Sequence, residues 1–141
     1  MSDQIDVNQL SNALQQKVDL PSGKSQSDID YVVEWQTPTS SNNYTWYRLY
    51  KSGWIEQGGE VTQSSSTSFS TTLTFSKTMN DTHYFLSWAG GADQNDGAGA
   101  YGAIQYNTTT ITTNSVGVYV GNSNANFTVM KWKVEGFAAQ S

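Results

Sequence analysis

The 141-residue chain has no cysteine. That excludes a disulfide frame, a thiolate metal site and thiol redox chemistry, and it leaves the redox compartment unread. Charge is scarce: Asp, Glu, Lys and Arg together make up 13% of the residues, about half the share in an ordinary soluble domain. The excess is acidic, with a net charge of −5 and a pI near 4.5, so a polyanionic partner such as DNA or RNA is not expected. No apolar run approaches the ~20 residues that a membrane-spanning helix requires, and no membrane insertion is expected. The first residues also lack the basic-then-apolar order of a secretion signal. There are only two prolines and a single histidine.

What fills the space is neutral polar and aromatic. The chain has 18 Ser, 16 Thr, 11 Asn and 11 Gln, beside 5 Trp, 8 Tyr and 5 Phe. So much aromatic surface would not stay in water, which argues against disorder. The length suits one domain able to bury roughly 70% of its unfolded surface.

Two stretches differ in composition. Residues 1–27 contain no aromatic residue. There Asp6 with Gln9 three positions on reads as a helix start. Val7, Leu10 and Leu14 follow at helical spacing, and Pro21-Ser22-Gly23 ends the helix. So short a helix is marginal alone, and its narrow apolar stripe needs a partner. A helix packed on its own domain and a short parallel coiled coil with copies of the chain both fit this spacing.

Ser22 to Asp30 is polar and reads as a linker. Beyond it the pattern is β-type, with strands predicted at 31–35, 44–50, 54–57, 68–75, 82–88, 103–106, 109–112, 116–120 and 127–134. Alternation over Tyr44–Tyr50 puts Trp46, Arg48 and Tyr50 on one face and Tyr47 and Leu49 on the other. Lys51-Ser52-Gly53 then turns this strand into a hairpin with Trp54–Gln57, which Gly58-Gly59 closes. Ala89–Gly102 and Gly121–Asn126 read as loops. Short strands with turns every ten or so residues predict an all-β, antiparallel, sandwich-like domain over residues 28–141.

Catalytic signatures are few. His83 sits in a predicted strand with no nucleophile–base partner nearby. Glu34, Glu56 and Glu60 are the strand-associated acids that a glycan hydrolase would need in pairs, and the pattern favours outward solubilising residues over that pairing. Asp93-Gln94-Asn95-Asp96-Gly97 misses the calcium-loop register and suits a turn, so no metal site and no cofactor is expected. The positive signal is aromatic. Exposed indole and phenol rings among amides and hydroxyls suit carbohydrate, the ring stacking on the C–H face of a sugar while polar groups bond its hydroxyls. On that reasoning the glycan-binding candidates are Trp46, Tyr47, Trp54, Trp88, Asn95 and Tyr101. The competing reading buries these rings against a second sheet or another copy of the chain.

Three segments carry a resemblance to a known family. They are Tyr31-Val32-Val33-Glu34-Trp35, Asn43-Tyr44-Thr45-Trp46-Tyr47-Arg48 and Lys51-Ser52-Gly53-Trp54-Ile55-Glu56-Gln57-Gly58-Gly59. They resemble the C-terminal tip domains of bacteriophage tail fibres, in which an aromatic-Arg strand turns into a Trp-X-Glu-Gln-Gly-Gly strand. The end, Trp132-Lys133-Val134-Glu135-Gly136-Phe137, is similar to the closing strand of that family, and Ala13–Leu20 resembles fibre-shaft segments. The resemblance implies a homotrimeric, non-enzymatic virion protein that touches a polysaccharide or protein of the host cell surface. The Val7/Leu10/Leu14 stripe then becomes a trimerisation stalk, and the N-terminal segment contacts other virion proteins. About 30 residues precede the β domain, so a fibre fragment and a small head or tail decoration protein are both compatible with the pattern.

Overall fold

The hairpin predicted around Lys51-Ser52-Gly53 forms as the sequence requires. Gly53 adopts φ +88°, a conformation that side chains disfavour. Its N–H donates to the Tyr50 carbonyl at 2.9 Å, and the Trp54 N–H donates to Ser52 Oγ at 3.2 Å. Arg48 thereby lies opposite Glu56, and Tyr47 opposite Gln57.

The computed structural model describes residues 22–66, 69–92, 103–121 and 127–140. The predicted N-terminal helix with Val7, Leu10 and Leu14 lies outside them, as do Asn95 and Tyr101. The chain divides after Tyr31, and Val32–Ser141 is one compact unit. Before that division, Gln26–Asp28 forms a 3-10 turn in the stretch read as linker. The Asp28 carboxylate accepts the Ser25 N–H at 2.7 Å and the Ser25 hydroxyl at 3.0 Å. Those two bonds hold its pKa below the ordinary aspartate value.

The β unit has the strands β1 (Val32–Gln36), β2 (Trp46–Tyr50), β3 (Trp54–Ser66), β4 (Phe69–Thr74), β5 (Phe85–Ala92), β6 (Ala103–Tyr106), β7 (Ser115–Gly121) and β8 (Phe127–Phe137). They build a five-stranded sheet in the order β1-β2-β3-β8-β5 and a three-stranded sheet in the order β4-β7-β6. Every pairing is antiparallel. The architecture is thus the all-β one that the alternating pattern predicted.

The core lies between the sheets. Ile55, Met130, Trp132 and Val134 come from the larger sheet, and Leu73, Val116 and Val118 from the smaller. Phe75 bridges them, its ring 5.9 Å from that of Trp132 and edge-on to Tyr84 at 5.0 Å. Among the described residues one polar side chain is fully buried: Gln57, at 0% exposure. Its amide accepts the Lys77 N–H and donates to the Lys77 carbonyl, both at 2.9 Å, so the buried group is satisfied by the segment that follows β4.

Four local expectations are corrected. Gly58-Gly59 does not end a strand, because β3 continues to Ser66. These glycines give room to rings: a Cβ on Gly58 would run into the Trp132 carbonyl and meet Trp46, and one on Gly59 would stand 3.4 Å from the Trp132 indole. Ala89–Ala92 is strand rather than loop, since Gly90 and Gly91 leave space for Phe127 and Val129 beside them. Thr109–Thr112 is not strand: the chain turns at Thr108–Thr109, held by Asn107, whose side-chain oxygen accepts both the Thr109 N–H (2.9 Å) and its hydroxyl (2.6 Å). Local bonding of this kind competes with a sheet ladder. His83 precedes β5 and is exposed, its N–H turned onto Asp81 Oδ1 at 2.7 Å.

Candidate functional site

The outer face of the five-stranded sheet carries a groove of about 490 Å³, lined by Trp35, Thr37, Pro38, Trp46, Tyr47 and Arg48, with Gln36 at its edge. Its walls follow from register. Trp35 on β1 is opposite Arg48 on β2, and Trp46, two residues away, points to the same face. Trp46 can lie close to the sheet because its cross-strand partner is Gly58. Trp35, on the edge strand, is 66% exposed. Large aromatic side chains left in water at such a level mark a contact surface when they cluster.

The end of the groove is fixed by hydrogen bonds. Gln36 Nε2 donates to the Thr45 carbonyl and to Thr45 Oγ1, both at 2.9 Å. Asn42 Nδ2 donates to the Thr37 carbonyl at 2.9 Å, and Asn42 Oδ1 accepts the Thr39 N–H at 2.9 Å. Within this loop Asn43 and Tyr44 both adopt φ +54°. For a bulky Tyr that is a strained conformation, costing on the order of 1–3 kcal/mol, and such strain persists only where the surroundings enforce it.

Beneath the groove, Tyr47 is anchored rather than offered to solvent. Its hydroxyl donates to Glu34 Oε1 at 2.7 Å, and the same oxygen takes Lys77 Nζ at 2.6 Å. The Lys77 ammonium also stands 5.0 Å above the Tyr47 ring, within cation–π range. The hydrogen bond from Lys77, then that from Tyr47, holds the Glu34 pKa below its ordinary value. The bond to Glu34 pushes both the Tyr47 phenol and the Lys77 ammonium up.

The other candidates are dispersed. Trp54 is at the turn end of the hairpin, half-buried, with its ring edge-on to Phe137 at 5.3 Å. Trp88 lies opposite Trp132 and packs on the core, and its buried indole N–H has no partner among the described residues. The structure thus brings Trp46 and Tyr47 together and separates them from Trp54 and Trp88. It adds Trp35 and Arg48, which the candidate set lacked. Alternation showed Arg48 beside Trp46, but nothing local showed that Trp35 would face them.

The three-stranded sheet has its own concavity, about 740 Å³, lined by Ser70, Thr72, Gln105, Asn107, Thr110 and Tyr119 among others. Gly117 forms part of it, with its N–H on Thr110 Oγ1 at 3.2 Å. This surface is hydroxyl-rich and without a charged side chain.

The acids considered for hydrolysis are each tied to a lysine. Glu34 bonds Lys77, Glu60 lies 3.2 Å from Lys131, and Glu56 lies 3.8 Å from Lys133, which also bonds Glu135 at 2.8 Å. Among the described residues no cluster of acids and histidine has the composition of a metal site.

No family model and no curated protein matches the chain. Solved structures do. An N-truncated R1-type pyocin tail fibre superposes with a TM-score of 0.50 over 96% of this chain and 100% of that one, at 10% identity. A P. aeruginosa R1 pyocin fibre, represented by its C-terminal residues, gives a TM-score of 0.47 at 13% identity over 66% of this chain. The matched part spans 26% of that second fibre chain. The chain therefore shares an all-β fold with an R1-type pyocin tail fibre.

Proposed function

We propose that this chain is the distal, receptor-binding part of a virion fibre, that it works as a homotrimer, and that it holds host-surface glycan without catalysing a reaction on it. Residues 28–141 are the tip, and residues 1–27, with Val7, Leu10 and Leu14, are the stalk and the attachment to other virion proteins. The groove between Trp35 and Trp46 carries the reading. Two indoles on one rigid sheet face, 66% exposure at the outer one, and a strained, hydrogen-bonded loop at the end supply stacking platforms for sugar rings. Asn95 and Tyr101 remain candidates for contacts from the glycine-rich segment.

The test is binding of the full chain to host cells and to a glycan array, with Trp35→Ala and Trp46→Ala alongside. Each substitution is expected to lower binding about tenfold or more, as loss of a buried aromatic anchor does. A folded trimer that binds neither cells nor glycan would turn the reading to a structural decoration protein. Light scattering checks the assembly, and a 15.5 kDa species would sink the trimer.

A further inference from the structure

We infer that the Trp35/Trp46 groove selects an anionic saccharide, a sugar bearing carboxylate or phosphate, and that Arg48 is the residue that reads the anion; this rests on the glycan reading above. The observation is how charge is paired on this face and beneath it. Lys77 is held by Glu34 at 2.6 Å, Lys131 by Glu60 at 3.2 Å, and Lys133 by Glu135 at 2.8 Å with Glu56 at 3.8 Å. Arg48, the only arginine in the sequence, has no ion pair or hydrogen bond from its side chain among the described residues. Its register neighbour Glu56 makes no ion pair with it; that carboxylate lies 3.8 Å from Lys133 and accepts the Tyr50 hydroxyl at 3.3 Å. Arg48 is exposed and lines the groove beside both indoles.

The neutral side-chain amide that lines the groove is already in use. The Gln36 amide nitrogen serves Thr45, and the Thr37 carbonyl is taken by Asn42. What remains for a ligand is the two indoles with their ring faces and N–H groups, the Thr37 hydroxyl, and one guanidinium, the only charged group of the lining. A guanidinium stays charged at any physiological pH and offers a planar fork of N–H donors that matches carboxylate and phosphate. An anion on a stacked sugar therefore meets the one charged donor set among the lining residues. The overall charge of −5 does not oppose this at short range, because charges farther than about 8 Å are screened at physiological ionic strength.

The experiment is an array of bacterial capsular and O-polysaccharides, each printed native, carboxyl-reduced with carbodiimide and borohydride, and dephosphorylated with hydrofluoric acid. The full chain is compared with Arg48→Gln and Arg48→Lys, and circular dichroism confirms the fold of each variant. Support is binding to native glycan that one of the two treatments lowers about tenfold or more, an equal loss in Arg48→Gln, and partial recovery in Arg48→Lys. Which treatment acts distinguishes carboxylate from phosphate. Binding that survives both treatments and Arg48→Gln, yet is lost in Trp35→Ala, overturns the anion inference and leaves the glycan reading standing. Absence of binding to every glycan in every form overturns both.

Discussion

The two sheets of this domain solve the problem of staying wet in opposite ways. The five-stranded sheet holds all five tryptophans and carries Glu34, Arg48, Glu56, Glu60, Lys131, Lys133 and Glu135. The three-stranded sheet, Phe69–Thr74 with Ala103–Tyr106 and Ser115–Gly121, has no charged residue. On the first, charge is managed by cross-strand pairing. Glu56 stands opposite Glu135, which alone would repel, and Lys133 lies within reach of both. On the second, hydroxyls and amides hold water without charge. A low charged fraction averaged over the chain thus conceals one charged sheet and one neutral sheet, and only the charged sheet puts a cation beside an exposed indole.

The largest expected effect comes from breaking the seam between them. Trp132 is 5% exposed and meets Phe75 across the core, so Trp132→Ala is expected to cost about 3–5 kcal/mol. That is a large share of the roughly 5–15 kcal/mol that stabilises a domain. Calorimetry with near-ultraviolet circular dichroism should show one transition moved far down in temperature. Two resolved transitions would mean that the sheets are independent and that the comparison describes two separate bodies.

Gln57→Leu is next. It keeps the volume but removes the amide that satisfies both the N–H and the carbonyl of Lys77. Leaving such groups unpaired costs about 1–3 kcal/mol. Hydrogen exchange at the Lys77 amide should accelerate well beyond that of β8. Unchanged protection there would show that Gln57 does not fasten the connection leaving the neutral sheet.

How much of this was legible in the sequence follows from the range of each signal. The hairpin was readable, because Lys51-Ser52-Gly53 and the alternation of Trp46, Tyr47, Arg48 and Leu49 are local. Gly58-Gly59 reads locally as a strand end and Gly90-Gly91 as loop, because the rings and side chains that need their space arrive from Trp46, Trp132, Phe127 and Val129 on other strands. Period-two alternation also does not say which face is the core. Trp88 and Trp46 looked alike as strand tryptophans, yet one packs inward on Trp132 and the other lines an outer groove. The groove itself depends on Trp35 meeting Arg48 across a nine-residue connection, with a bulge between Val32 and Glu34 shifting the register. No local pattern encodes that.

Tyr84 offers a smaller lever on the same seam. It precedes β5 of the charged sheet, and its hydroxyl donates to the Thr112 carbonyl at 3.0 Å, just before β7 of the neutral one. Burial, with the Tyr106 phenol adding to it, pushes its pKa up to about 12 from the ordinary 10.0. A raised folded-state pKa means that the folded form keeps its proton longer than the unfolded form. The associated stability is therefore complete below pH 10.0 and is lost as pH rises toward about 12. Absorbance titration should show one phenol ionising late, and Tyr84→Phe should remove it at a cost of about 1 kcal/mol near neutral pH. A tyrosinate spectrum complete near pH 10.0 would refute the burial argument.

The smallest effect tests whether the neutrality of the second sheet serves folding at all. Thr72 is exposed on β4, an edge strand, and lines the hydroxyl-rich concavity. A lysine on an edge ordinarily guards it against pairing with other chains, so the absence of charge here is not what edge protection alone would select. If neutrality were needed for folding, Thr72→Lys would destabilise. If it serves contact with another surface, the substitution should change stability by less than about 0.5 kcal/mol while altering binding to cells or to partner copies. Denaturant unfolding and cell binding, measured on the same preparation, separate the two. A loss of stability without a change in binding would make the charge-free sheet a requirement of the fold and leave the groove at Trp35 and Trp46 as the contact surface.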